Sequence, residues 1–329
     1  MAMYYYANQL YQLSYALPFY KKLGGTIIVN SISKYFKFHN QLKGMAAFNE
    51  NTLLNTPNII IRKNGNMQDL EGIILSFSNL WIERDPAKCK IIFHEHGASD
   101  KRIGSNLKTK PLEKLKNFDY IFLMSPKNQI KIKALAESFD ETNLADIEDK
   151  FVKIHNLRFA EYLEQSVNKQ SILNNIGIKD SSRKTVLYAP TWRFGSGTLR
   201  KYFHQFTHNI NNIYFSNPAN LKKHDTFTDF IASDILLSDT SAVLYEYLIT
   251  ENPIIIIHPN YGRQIEMPDN LNIMKNSVIF NKQDNISSLI IQALEEKKYS
   301  IKYHKMYTDC FYTPNENDVV DAIDFINKL

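Results

Sequence analysis

Asp234-Ile235-Leu236-Leu237-Ser238-Asp239-Thr240-Ser241-Ala242-Val243-Leu244-Tyr245-Glu246-Tyr247-Leu248-Ile249-Thr250-Glu251-Asn252-Pro253-Ile254-Ile255-Ile256-Ile257 holds one complete structural unit. The apolar run ending at Leu237 has the length of a strand. Ser238 to Ala242 is polar punctuation. From Ser241 to Thr250, residues Ala242, Val243, Leu244, Tyr247, Leu248 and Ile249 fill a helix that Ser or Thr can cap. Pro253 then opens a second apolar run. Short runs without polar alternation are what strands covered on both faces look like, and a helix between two of them makes a βαβ unit with parallel strands.

The same pattern extends in both directions. Toward the N-terminus the runs are Thr26 to Val29, Asn58 to Ile61, Gly72 to Leu75, Lys90 to Phe93, Tyr120 to Leu123, Phe151 to Ile154, Thr185 to Tyr188 and Asn212 to Phe215; beyond Ile257 there is Ser277 to Phe280. Helices are expected between them, at Asn128 to Ser138 and Ile286 to Lys298 among others. The polar stretch Asn168 to Lys184, with Gly177, Asp180, Ser181 and Ser182, reads as a linker. At about 150 residues per domain, 329 residues make two. The expected class is α/β: two Rossmann-like domains with parallel sheets facing a central cleft, residues 1–168 and 169–329, with a last helix able to pack back on the first.

Composition excludes several alternatives. Lys+Arg number 39 against 34 Asp+Glu, a net charge of +5, which suits a phosphate-bearing ligand or an anionic surface without demanding nucleic acid. The basic residues are dispersed and no nucleic-acid-binding module signature is present, so no nucleic-acid partner is expected. Hydrophobic residues at 44% are ordinary for a globular chain. Cys89 and Cys310 are the only cysteines, which excludes a disulfide framework and a cysteine-based zinc site and fits a reducing cytoplasm. Only 11 glycines are present, no phosphate-loop motif occurs, and Gly195-Ser196-Gly197-Thr198-Leu199-Arg200 lacks the third glycine of a dinucleotide fingerprint. Neither a signal peptide nor a membrane-spanning run is expected. Tyr4, Tyr5, Tyr6, Tyr11, Tyr15 and Tyr20, near Lys21 and Lys22, read either as a membrane-interface segment or as a first strand and helix.

In open parallel sheets, ligands bind beyond the carboxyl ends of the strands. The candidate site residues follow the runs there. After Phe93 come His94, Glu95, His96, Gly97, Asp100, Lys101 and Arg102: a histidine able to take a proton from a hydroxyl, a glycine permitting close approach, and cations for phosphate. The bland reading is a surface turn. His94-Glu95-His96 is a weak metal pattern, and no metal is expected. Ser125 follows Leu123, Thr191, Trp192 and Arg193 follow Tyr188, and Ser216 and Asn217 follow Phe215. Trp192 reads equally as base contact or domain packing. Ser238, Asp239, Thr240, Ser241 and Ala242 open a helix, as an anion site or as a plain cap. Glu246, further into that helix, reads as a ribose partner or as a solvated carboxylate.

Taken together these segments resemble the CDP-glycerol glycerophosphotransferases, which build teichoic acids and phosphopolyol-containing capsules. Leu187-Tyr188-Ala189-Pro190-Thr191-Trp192-Arg193 is similar to that family's LYAPTxR motif. Asp234 to Ala242 is similar to DxLITDYSS, Glu251 to Ile255 to the strand that follows it, and His96-Gly97 with Lys101 to HGxxxK. The resemblance runs from about residue 90 to 260. It implies a GT-B fold, with an acceptor-side first domain and a nucleotide-donor-binding second domain. It implies transfer of a phosphopolyol from a CDP-activated donor to a hydroxyl of a polysaccharide or lipid-linked glycan, with release of CMP and no cofactor. It makes His96 the base, with Glu95 or Asp100 orienting it. Thr191, Arg193, Ser216, Asn217, Ser238, Asp239, Thr240, Ser241, Ala242 and Glu246 fall by the donor. Gly97, Lys101, Arg102 and Ser125 fall by phosphate or acceptor. A cytoplasmic location with peripheral contact to the inner membrane face follows. The family's second histidine is replaced here by the Phe215-Ser216-Asn217-Pro218 segment, Thr240 replaces its Tyr, and Ala242 its second Ser. These departures keep open a GT-B glycosyltransferase that uses a nucleotide sugar.

Overall fold

The computed structural model describes residues 1–49, 57–78, 81–95, 97, 111–137, 144–164, 168–178, 182–189, 212–215, 226–239, 241–257, 265–281, 283–296 and 298–329. The first sheet is built from β1 (Met3–Tyr6), β2 (Thr26–Val29), β3 (Ile59–Ile61), β4 (Gly72–Ser76), β5 (Cys89–His94), β6 (Tyr120–Leu123) and β7 (Phe151–Lys153). Around these strands lie α1 (Leu10–Leu23), α2 (Ile32–Asn49), α3 (Pro111–Lys116), α4 (Pro126–Glu137) and α5 (Ala145–Glu148), followed by α6 (Leu157–Glu164) and α7 (Lys169–Asn175). The second sheet has β8 (Thr185–Tyr188), β9 (Asn212–Phe215), β10 (Ile235–Ser238), β11 (Ile254–Ile257) and β12 (Val278–Phe280). Its helices are α8 (Thr226–Ala232), α9 (Val243–Glu246), α10 (Ile273–Asn276), α11 (Ile286–Glu295) and α12 (Lys298–Cys310), and α13 (Ala322–Asn327) follows them in the chain.

The strand orders are β3-β2-β1-β4-β5-β6-β7 and β12-β11-β10-β8-β9, and every strand pair in them is parallel. Successive strand residues bury on opposite faces, which is why the runs lack polar alternation. In the first sheet Tyr5, Ile27 and Ile92 enter one core with Leu13, Leu17 and Phe19 of α1, while Tyr6, Ile28, Ile74 and Ile91 enter the other. In the second, Leu236, Ile254 and Ile256 face one core, and Val186, Tyr188, Leu237 and Ile255 the opposite one. α6 sends Phe159 into the second sheet's core, and α13 returns Ala322 and Ile326 to the first. Among the described residues no helix is long and apolar enough to cross a membrane.

All eleven expected runs lie at strands. Some neighbouring expectations need correction. The N-terminal tyrosines take the strand-and-helix alternative: Tyr5, Tyr6, Tyr15 and Tyr20 are buried in the fold rather than offered to a membrane interface. Part of the expected linker is a packed helix, α7. The Asn168 side chain caps it by accepting from the Gln170 amide at 2.7 Å, and Ile172 and Leu173 are buried against Ala232. The helix expected from Ser241 to Thr250 is one α turn that tightens into a 3-10 turn over Tyr247–Thr250 and stops at Glu251, whose φ is +57°. The stretch expected as one helix from Ile286 to Lys298 is α11, which ends at Glu295, with α12 beginning at Lys298.

Candidate functional site

Each sheet reverses its direction of growth once. From β1 the first chain half adds β2 and β3 on one side, then returns to place β4 on the other. From β8 the second adds β9 on one side, then β10 on the other. Such a reversal leaves a crevice between the carboxyl ends of the two strands concerned, because their onward connections depart in opposite directions. In the second sheet this crevice lies beyond the ends of β8 and β10, at Ala189 and Asp239. The strand ends are locked together there. The Ala189 amide donates to the Leu237 carbonyl at 2.9 Å, and the Ser238 hydroxyl donates to the Ala189 carbonyl at 2.6 Å. Ser238 is thereby fully buried and used by the fold. Asp239, Ser241 and Ala242 are half-buried at the mouth. Thr191, Arg193, Ser216, Asn217 and Thr240 lie outside the described residues, as do His96, Asp100, Lys101 and Arg102.

From the first sheet, Gly97, just past β5, reaches the same place. Gly97 has φ +93°, and a Cβ on it would lie 2.6 Å from the Ala242 Cβ and 3.2 Å from the Tyr15 hydroxyl. The two segments singled out in the sequence, one from each half, therefore meet at van der Waals distance. Glycine is required both for the backbone angle and for the space.

Behind this contact lies a buried polar cluster. Tyr15 of α1 donates to the Glu246 carboxylate, and Arg158 of α6 pairs with the same oxygen at 3.0 Å. The Arg158 guanidinium lies 4.4 Å from the Tyr15 ring centre and 4.5 Å from that of Phe227, and the Arg158 and Glu246 side chains are each only 4% exposed. This corrects the solvated reading of Glu246: the structure gives its carboxylate an internal use, closing the two halves on each other. A second crossing comes from α4. Lys127 is fully buried, donates to the Leu271 carbonyl at 3.1 Å, and stands 3.2 Å from the centre of the Tyr245 ring.

Ser125 is fully buried, and its hydroxyl accepts from the Lys127 amide at 3.1 Å, capping α4. The structure thus places it under the helix rather than on an open phosphate site. Glu95 accepts hydrogen bonds from the Asn128 side chain and from Lys131, whose ammonium is almost wholly buried. Its carboxylate is turned to α4. His94 is buried among Tyr15, Phe19, Phe77 and Phe122, with Nδ1 2.8 Å from the Glu95 carbonyl oxygen. Among the described residues no group of His, Cys, Asp and Glu side chains is arranged to hold a metal ion.

Sequence reasoning missed Tyr15, Lys127, Asn128, Lys131 and Arg158. Three of these lie just past Ser125, and Arg158 lies just past β7, in His155-Asn156-Leu157-Arg158. Reading that strand's end as the others were read supplies the signal.

Two all-parallel sheets, each with a topological reversal and joined across a cleft at their carboxyl ends, define the GT-B architecture. Solved structures share it over nearly the whole chain. The wall teichoic acid polymerase TagF superposes with a TM-score of 0.62 at 15% identity, covering 99% of this chain and 88% of its own. MnaA of S. aureus, solved with UDP, gives 0.52 at 12% identity over 94% of this chain and 91% of its own. Anabaena HepE in complex with UDP gives 0.50 at 9% identity over 100% and 98%. At these identities the likeness establishes the fold. No family model matches the sequence, and it matches no curated protein.

Proposed function

We propose that this chain is a phosphopolyol transferase of the CDP-glycerol glycerophosphotransferase type. It moves glycerol phosphate or ribitol phosphate from a CDP-activated donor to a hydroxyl of a teichoic acid, capsule or other surface-glycan precursor, and releases CMP. One observation carries the reading. The segments similar to the family's two donor motifs leave β8 and β10, the two strands that frame the second sheet's crevice, and Gly97 of the third motif meets Ala242 there. The TagF likeness over nearly the whole chain supports it.

In this reading His96 takes the proton of the acceptor hydroxyl. The resulting oxygen attacks the phosphorus nearer the polyol, and the bond from that phosphorus to the bridging oxygen of CMP breaks. Arg193, Lys101 and the backbone and hydroxyl donors at Thr240, Ser241 and Ala242 neutralise the charge gathering on CMP. Phosphoryl transfer asks mainly for positioning and charge neutralisation, so one base and several donors suffice. Glu95 acts through Lys131 and Asn128 to fix the loop carrying His96. The reading calls for no cofactor beyond the activated donor, and it places the protein in the cytoplasm beside its membrane-bound acceptor.

The UDP complexes of MnaA and HepE favour one alternative, a glycosyltransferase using a nucleotide sugar. Product analysis separates them: CMP released from CDP-glycerol or CDP-ribitol supports the proposal, and UDP released from a UDP-sugar with no turnover of CDP-polyols overturns it. His96→Ala should lower turnover by roughly 10²–10⁴-fold while leaving donor binding intact. Near-normal turnover in that variant removes the base assignment.

A further inference from the structure

His94 is the last residue of β5 and stands between two flanking strands. Its register partner on β6 is Phe122, and Phe77 lies one residue past the end of β4. Tyr15 and Phe19 of α1 cover it. The ring centres of these four residues lie between 5.0 and 6.2 Å from that of the imidazole, and His94 is 2% exposed. Such a cage suits a hydrocarbon side chain, because taking imidazole nitrogens out of water costs free energy that an apolar residue of similar size does not lose. What the histidine adds is at Nδ1, 2.8 Å from the Glu95 carbonyl oxygen. A carbonyl only accepts, so Nδ1 carries the proton and donates. That carbonyl belongs to the peptide unit joining Glu95 to His96. The unit is planar, so holding its oxygen sets the direction in which the chain continues.

The same short segment is held at two further points. The Glu95 carboxylate accepts from Asn128 and Lys131 of α4, and Gly97 packs against Ala242. Tyr15 serves both ends of the segment: its ring lies beside His94, and its hydroxyl is 3.2 Å from where a Cβ on Gly97 would stand. We propose that His94 is a positioning residue. Through its bond to the Glu95 carbonyl it presets the peptide unit that leads to His96, so that the segment bearing the base is in place before any ligand arrives. The purpose given to that order, proton transfer by His96, rests on the transferase reading above; the hold itself rests on the cage and the bond. Misplacing a reacting group by about 1 Å costs about a hundredfold in rate, so a single hydrogen bond that orients it is a large lever.

The experiment compares His94→Leu with His94→Asn in the full chain. The two replacements branch alike at Cγ. Leu suits the cage and has no donor. Asn suits the cage less, but its Nδ2 is attached to Cγ as the imidazole Nδ1 is, so it can donate to the Glu95 carbonyl. A histidine with only a structural role makes Leu the better replacement in every measurement. A positioning histidine makes the measurements cross. The melting temperature of His94→Leu should equal or exceed that of His94→Asn. Turnover of CDP-glycerol or CDP-ribitol should nevertheless fall by about 10–100-fold in His94→Leu and largely recover in His94→Asn, with donor affinity unchanged in both. Amide exchange at His96 and Gly97 should quicken by about tenfold in His94→Leu and slow again in His94→Asn. Turnover that follows the melting temperature, or full activity in His94→Leu, overturns the inference and leaves the transferase reading standing. A wild type that turns over neither CDP-polyol overturns that reading instead, and amide exchange then decides the hold alone: faster in His94→Leu and restored in His94→Asn supports it, and equal rates in all three proteins overturn it.

Discussion

Gly97→Ala tests the contact on which the site depends. Two separable costs follow from the geometry. The first is conformational: at φ +93° a Cβ crowds its own backbone, a strain of about 1–3 kcal/mol that surroundings cannot relieve. The second is steric. The new methyl would sit 2.6 Å from the Ala242 Cβ, where ordinary contact begins near 3.4 Å, so α9 or the Gly97 segment must shift by most of an ångström. Overpacking of this kind costs about 1–3 kcal/mol. Ala242→Gly removes the obstacle at little cost of its own, since Ala242 is the N-cap of α9 and glycine is tolerated there at least as well as alanine. Urea denaturation of the four proteins of the cycle gives the coupling directly. Gly97→Ala alone should lose about 2–6 kcal/mol. In the double variant, about 1–3 kcal/mol of that loss should be absent, leaving the conformational part. Additive losses within about 0.5 kcal/mol, or a Gly97→Ala protein as stable as the wild type, would refute the claim that the two halves touch here.

Arg158→Ala leaves the Glu246 carboxylate buried without its cation, and urea denaturation should show a loss of about 3–5 kcal/mol; the double variant Arg158→Met, Glu246→Leu should recover most of it, because two apolar side chains need no mutual charge. Lys131→Met should likewise destabilise by about 3 kcal/mol, and adding Glu95→Gln should restore part of that loss; a stability unchanged by Lys131→Met argues against the Glu95 pairing. Burial pushes the phenols of Tyr307 and Tyr312 up to about 12, and raises those of Tyr5, Tyr247 and Tyr303 further. The folded values lie above the unfolded value near 10, so this stabilisation is complete below about pH 10 and is lost as pH rises. A urea midpoint flat to about pH 10 and falling above it, with a shallower fall in Tyr303→Phe, is the expected profile.

The sheets were legible because aliphatic runs buried on both faces have no competing reading at that length. β1 lay outside the aliphatic pattern for a chemical reason: Met3-Tyr4-Tyr5-Tyr6 is aromatic, so it signals an interface as readily as a strand until the two cores that take Tyr5 and Tyr6 are known. In the site, the segments after β5, β8 and β10 could be found because each sits directly behind a strand. The Glu246 partners could not be found that way. Arg158 lies 88 residues and Tyr15 lies 231 residues from Glu246, and what joins them is the sheet order together with the meeting of the two halves. Glu95 shows the same limit. Its neighbour in sequence is the candidate base, but its carboxylate turns to Lys131, 36 residues away on the helix after β6.

The polar character of the junction has a mechanical consequence. An apolar seam between two domains tolerates sliding, since its attraction is non-directional. The crossings here are directional: Arg158 and Tyr15 share one carboxylate, and Lys127 has a carbonyl and a ring as its partners. A shift of an ångström or two leaves a buried charge incompletely paired, which costs more than the displacement of apolar groups would. These pairings and the approach of Gly97 to Ala242 together fix how the two halves meet. On the proposed reaction that fit matters more than any single donor. The attacking hydroxyl is delivered from the first sheet and the activated phosphorus from the second, and in-line transfer depends on their separation and angle. Disturbing Arg158 or Lys127 should then reduce turnover even where each half still binds its own ligand, and separate measurements of donor affinity, acceptor affinity and turnover on those variants decide the point.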